Sequence, residues 1–221
     1  MILQTAGVLT LSALLMFLPA GTFAWPQGWL FLALFFGLSQ AMGLWLLRTD
    51  PALLAARMRS PLSGDQAPRD RVVIVGILAG FAAWLVFMAL DAKRFGWSHA
   101  PAWAQVVGAV LIVAAFWGWM EVLRANTFAA TTIQLQAERG QTVISSGPYA
   151  LVRHPMYAFA LFLMVGAPLL LGSLWGLAWL GLFVPLLAAR VLGEEAMLTA
   201  GLEGYADYAH RVRFRMVPGI W

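Results

Sequence analysis

Residues 155–189 read PMYAFALFLMVGAPLLLGSLWGLAWLGLFVPLLAA, a run of 35 positions without a charge. As one helix this run would extend about 52 Å, against a bilayer hydrocarbon core of about 30 Å. One crossing cannot hold it. Pro168 and the sequence Leu171-Gly172-Ser173 supply a break, because proline interrupts a helix and glycine permits a tight turn. The run therefore reads as two short helices folded into a hairpin whose outer ends return to the same face.

The rest of the chain supports that reading. Of its 221 residues 62% are hydrophobic and 11% are charged, whereas water-soluble domains run near half apolar and about a quarter charged. The first 47 residues contain no Asp, Glu, Lys, Arg or His, too few polar groups to face water. No basic stretch precedes the first apolar run, so it reads as a retained span rather than a cleaved leader. Further runs of spanning length occupy residues 4–23, 28–47, 72–90 and 102–123, which with the hairpin gives about six crossings. The predicted fold is all-α: a polytopic membrane helical bundle of five to six crossings with a C-terminal hairpin. Residues 1–221 form a single membrane domain, with a four-helix part over 1–124 and a loop, hairpin and amphipathic C-terminal helix over 125–221. The absence of cysteine removes disulfides and thiolate chemistry.

Basic residues orient the bundle. Alternating loops place 12 of the 14 on one side, among them Arg48, Arg57, Arg59, Arg124, Arg153 and Arg190, and leave only Lys93 and Arg94 on the other. The positive-inside rule makes the first side, with both termini, cytoplasmic. The net charge of +4 then expresses orientation and membrane-lipid contact, with nothing pointing to nucleic acid. Trp25, Trp29, Trp97, Trp103 and Trp175 fall at the outer interface, where an indole prefers to sit. In the first cytoplasmic loop Asp50-Pro51 reads as a helix start, with Leu53, Leu54 and Met58 beside Arg57 and Arg59. That short helix is expected to be a surface anchor. Gly76 with Gly80, and Gly172 with Gly176, are small-residue pairs suited to helix packing.

Ionisable groups near a membrane interior usually have a partner or a task. One cluster qualifies: Gln134 to Gln141, Ser146-Gly147-Pro148-Tyr149, Arg153-His154-Pro155-Met156-Tyr157, and then Arg190, Glu194 and Glu195 across the hairpin. The fold-back brings His154 near Glu194, and Arg190 and Glu194 share a helical face. His154-Pro155 starts the fifth span, so an imidazole, the Tyr157 phenol and open backbone amides would face a ligand. An ordinary set of headgroup anchors and surface ion pairs explains the same residues about as well. No metal-ligand pattern is present.

The series Gly147-Pro148-Tyr149-x3-Arg153-His154-Pro155-x-Tyr157, followed by Arg190-x3-Glu194-Glu195, resembles the isoprenylcysteine carboxyl methyltransferase family over roughly the C-terminal hundred residues. The resemblance implies an integral-membrane enzyme that binds S-adenosylmethionine from the cytosol and takes a lipophilic or lipid-tailed acceptor from the bilayer. Carried over by position, Gln134, Gln141, Thr142, Val143, Ile144, Tyr149, Arg153, His154, Pro155, Met156, Tyr157 and Glu194 correspond to the cofactor site, and Arg190 to a substrate-binding arginine. Gln141 departs from the histidine of the animal enzymes.

A carboxylate acceptor is already nucleophilic at neutral pH and needs no base, and Arg190 would hold it. An amine acceptor would need one, for which Glu195 or His154 is the candidate. Membrane sterol and enone reductases have a similar Arg-His-Pro-x-Tyr turn but use a reduced nicotinamide cofactor and carry paired aspartates. Phospholipid amine N-methyltransferases share the paired glutamates but carry a Gly-x-Gly element, which this chain lacks. A scaffold or transporter is the non-enzymatic alternative, and the position of the ionisable groups at span ends argues against transport.

Overall fold

The computed structural model describes residues 2–58, 68–129 and 137–221. Those residues form helices and connecting turns: α1 (Ile2–Ala20), α2 (Pro26–Thr49), α3 (Pro51–Met58), α4 (Pro68–Ala89), α5 (Ala102–Ala125), α6 (Pro155–Leu171), α7 (Leu180–Gly201) and α8 (Tyr205–Arg211). The all-helical reading holds. Among the described residues four helical segments are long and apolar enough to cross a membrane: Pro26–Thr49, Ile74–Phe95, Ala102–Ala125 and Trp175–Gly201. α1, counted from Thr5, and the 17-residue α6 are apolar but shorter.

Proline and glycine punctuate the helices. Pro26, Pro51 and Pro155 open α2, α3 and α6, where a missing amide leaves nothing unsatisfied. Asp50 accepts the Leu53 amide at 2.9 Å and so caps α3. Of the expected break points Gly172, with a φ of 88°, ends α6, whereas Pro168 lies inside the helix and does not interrupt it. A single 3-10 segment, Trp175–Trp179, then leads into α7.

The core is built where α5 and α6 approach closely. A Cβ on Gly108 would lie 2.4 Å from the Leu170 nitrogen and 2.6 Å from the Gly166 oxygen, so backbones touch there without side chains between them. Ile112 and Leu170 at this crossing belong to one core cluster with Met16, Phe17, Trp84 and Met88. The glycine pairs expected to mediate packing divide. Gly76 faces open space, whereas Gly80 lies against Phe183 and Gly176 against Pro168 and Met88.

Two other expectations are corrected. Trp25 is 2% exposed, sealed edge-on against Phe17, because the α1–α2 turn folds it under the helix ends. Trp29, Trp97, Trp103 and Trp175 are exposed as expected. The segment after residue 90 is a π-helical continuation of α4, Leu90–Phe95, and its Asp91 is fully buried. The Ser98 and Ser173 hydroxyls donate to Asp91 Oδ2 at 2.7 and 2.6 Å, tying the α4 end to the hairpin turn.

Candidate functional site

His154 occupies the N-cap position of α6, and its backbone is held from both sides. The Arg153 and His154 amides donate to the carbonyls of Phe214 and Arg215 at 2.9 and 2.8 Å, while the His154 carbonyl accepts from Tyr157 and Ala158. The Arg153 and His154 amides are thus engaged by the chain that returns alongside the turn after α8, and the Tyr157 and Ala158 amides by the turn itself. The Arg153 guanidinium fixes that return, donating to the carbonyls of Ala209, Val212 and Arg213 at 3.2, 2.8 and 3.0 Å.

Glu195 closes the same knot. One oxygen accepts from Arg153 Nε at 2.6 Å and lies 3.2 Å from His154 Nε2, and the other accepts from Arg215 Nε at 2.8 Å. An ionised carboxylate only accepts, so His154 Nε2 carries the proton in this contact. The imidazole is thereby oriented with Nδ1 towards Glu194, 3.9 Å from its Oε2.

Glu194 points the other way. Its Oε2 accepts the Tyr157 hydroxyl at 2.9 Å, and the Tyr157 hydroxyl oxygen in turn accepts Arg190 Nε at 2.8 Å. Arg190, Tyr157 and Glu194 form one hydrogen-bonded row across the α6–α7 hairpin. Tyr149 adds a second phenol from the 3-10 turn Gly147–Ala150; its oxygen accepts Asn126 Nδ2 at 2.8 Å, and its carbonyl accepts the Tyr208 hydroxyl at 2.8 Å. Burial raises the Tyr149 hydroxyl above the ordinary phenol range, so it stays protonated.

These groups line one end of a cavity of about 500 Å³, a size typical of small-molecule sites. Tyr149, Arg153, His154, Tyr157, Arg190 and Glu194 supply its polar end, and Phe35, Phe81, Trp84, Phe116, Leu163 and Phe183 its apolar end. Pro155 and Met156 also face it, and the Met156 carbonyl is held by Trp119 Nε1 at 2.9 Å. Glu195 is packed behind His154 and is not part of the wall. Nor are Gln141, Thr142, Val143 and Ile144. Gln134 and Arg59 lie outside the described residues.

The surface-anchor reading of α3 missed a wall residue. Leu53 is fully buried against Leu46 and Leu123, and Arg57, one turn on, lines the cavity and donates to the Ala129 carbonyl at 2.8 Å. The i, i+4 spacing of Leu53 and Arg57 was the available signal: whichever way the first points, the second follows.

Residues 103–202, from α5 through α7, match the model of the phospholipid methyltransferase family. Over 80 residues the chain is 31% identical to the cobalt-zinc-cadmium resistance protein CzcN of Cupriavidus metallidurans, covering 36% of this chain and 37% of that relative.

Proposed function

We propose that the protein is a multi-pass membrane methyltransferase that uses S-adenosylmethionine to methylate a lipid-tailed acceptor at the cytoplasmic face. The observation that carries this is a cavity whose polar end holds His154, Tyr157, Arg190 and Glu194 and whose other end is hydrocarbon. The match of residues 103–202 to phospholipid methyltransferases supports the chemistry, and the four long apolar helices support the membrane setting. In this reading α1 and α6 also cross, giving six spans, with the shorter two reached by local bilayer thinning. Both termini and the polar end lie on the basic, cytoplasmic side.

The residues present suit that cofactor. S-adenosylmethionine is a zwitterion with a sulfonium charge and an aromatic base, and the polar end offers a carboxylate, two arginines and two phenols. Tyr149, Arg153, His154, Pro155, Met156, Tyr157 and Glu194 would hold it, with Gln134 and Gln141 to Ile144 as further candidates. When bound, it supplies an electrophilic methyl group, transferred by in-line displacement as the carbon–sulfur bond breaks and the bond to the acceptor forms.

The chain's own contribution is alignment and exclusion of water. Glu194, fixed by Tyr157, would accept hydrogen bonds from the cofactor. Arg190 would hold the acceptor carboxylate with one oxygen aimed at the methyl group. Glu195 would act through His154, by orienting the ring. The carboxylate acceptor keeps the resemblance to isoprenylcysteine carboxyl methyltransferases. The family match favours a second reading, a phospholipid amine acceptor, for which His154 is the base within the wall.

Titration of the purified protein in detergent with S-adenosylmethionine and with reduced nicotinamide dinucleotide phosphate tests the assignment. The first ligand should bind, and Glu194→Gln should weaken it at least about tenfold, the scale of one hydrogen bond to a charged group. Binding of the nicotinamide alone would replace the assignment with a reductase. Radiolabelled methyl donor supplied to native membranes separates the acceptors, since an ester label is base-labile and an amine label is not.

A further inference from the structure

Among the described residues the charges around the cavity do not balance. Those in its wall include Arg57, Arg153 and Arg190 but one carboxylate, Glu194. Arg153 is neutralised behind the wall by Glu195 at 2.6 Å, and Arg190 shares the Tyr157 hydroxyl with Glu194. Arg57 is different: its contact is the neutral carbonyl of Ala129, and among the described residues no carboxylate pairs with it. A guanidinium has five N–H donors in a planar fork, and one partly withdrawn from water, as Arg57 is, is stabilised by an anion. Burial lowers the affinity of Arg57 for its proton, with Tyr149 the neighbouring group acting against that shift.

The placement is enforced rather than incidental. Leu53 anchors α3 in a pocket of Leu46 and Leu123, and Asp50 caps its start. Asp50 also accepts a hydrogen bond from the Thr127 hydroxyl, so α3 is fastened to the segment after α5 at one end and through Arg57 to Ala129 at the other. The helix delivers its arginine to the cavity from the N-terminal part of the chain, outside the stretch that matches phospholipid methyltransferases.

We propose that Arg57 determines acceptor specificity: it binds a carboxylate or phosphate oxygen on the head of the lipid-tailed acceptor, while the apolar end of the cavity takes the chain. This rests on the methyltransferase reading for the word acceptor. The anion site itself stands on the charge balance. Arg57 is then a substrate contact, acting from a different wall than Arg190.

A scintillation proximity assay on the immobilised full-length protein tests it, with tritiated palmitate as probe and hexadecyl phosphate and hexadecanol as competitors. Wild type should prefer both anionic amphiphiles over the alcohol. Arg57→Gln retains a donor for the Ala129 carbonyl, and it should weaken both anions by about tenfold or more while leaving hexadecanol within about twofold. Arg57→Lys should recover part of the loss. S-adenosylmethionine affinity should stay within about twofold in both variants.

No preference for the anions in wild type, or an equal loss of all three amphiphiles in Arg57→Gln, would overturn the proposal. A loss confined to S-adenosylmethionine would also overturn it, reassigning Arg57 to the cofactor's own carboxylate. If wild type binds palmitate selectively through Arg57 but binds no S-adenosylmethionine, the methyltransferase reading fails and the anion site survives. The phosphate-to-carboxylate affinity ratio then separates a phospholipid head from a carboxylic acid.

Discussion

Glu194 and Glu195 are adjacent in the chain and face opposite ways, one into the cavity and one into a knot with Arg153, Arg215 and His154. Their substitutions should therefore fail differently. Removing Arg153, whose side chain is 7% exposed, leaves Glu195 short of a partner in a poorly hydrated place; Arg153→Ala should cost about 3 kcal/mol, read as a lowered melting temperature in detergent. Glu194→Gln should melt near wild type and lose ligand. The tyrosines give a pH signature. Burial raises Tyr208 to about 12, against about 10 in an unfolded chain. The folded state then retains a proton that the unfolded state releases, so stability is intact below pH about 10 and falls as pH climbs towards 12. Tyr208→Phe should flatten that decline in melts taken across this range. At this level residue type and hairpin spacing pointed to Tyr149, His154, Tyr157, Arg190 and Glu194, which do gather, but also to residues 141–144, which do not line the cavity. Nor did they distinguish the two glutamates, because their directions depend on the return of residues 212–215 past the histidine turn.

Among the elements, the α5–α6 crossing is the most exacting contact. Gly108→Ala would drive a methyl into the backbone of α6, where neither helix has a flexible side chain to yield. A loss of about 1–3 kcal/mol is expected, while Gly76→Ala, facing open space, should melt within about a degree of wild type. The breaks and starts of the helices were legible because proline and glycine act locally: Pro155, Gly172 and the Asp50-Pro51 start fall where expected. Which glycine meets which helix was not, since every pair with suitable spacing looks alike until the partner's rotation is known. The same blindness hid Arg57. Its direction follows from the burial of Leu53, and that burial is a tertiary fact.

The whole molecule presents its ionisable groups at two levels, with the Asp91 network at one end of α4 and the histidine turn at the outer ends of the α6–α7 hairpin. A chain without cysteine lends itself to single-cysteine labelling. His99 and Arg213 are exposed; in sealed cells His99→Cys should react with an impermeant maleimide directly, and Arg213→Cys only after permeabilisation. The reverse pattern would invert the orientation read from the basic residues. Alternating apolar runs specified the bundle because spanning length is a one-dimensional property, whereas the cavity is assembled from α2 to α7 and has no linear signature. That cavity joins a wet compartment to an oily one without a partition. A single compound with an adenosine-like group at one end, a short tether and a hydrocarbon tail would meet both compartments at once. It should inhibit far more strongly than an equimolar mixture of its halves, because the second half docks at an effective concentration set by the tether.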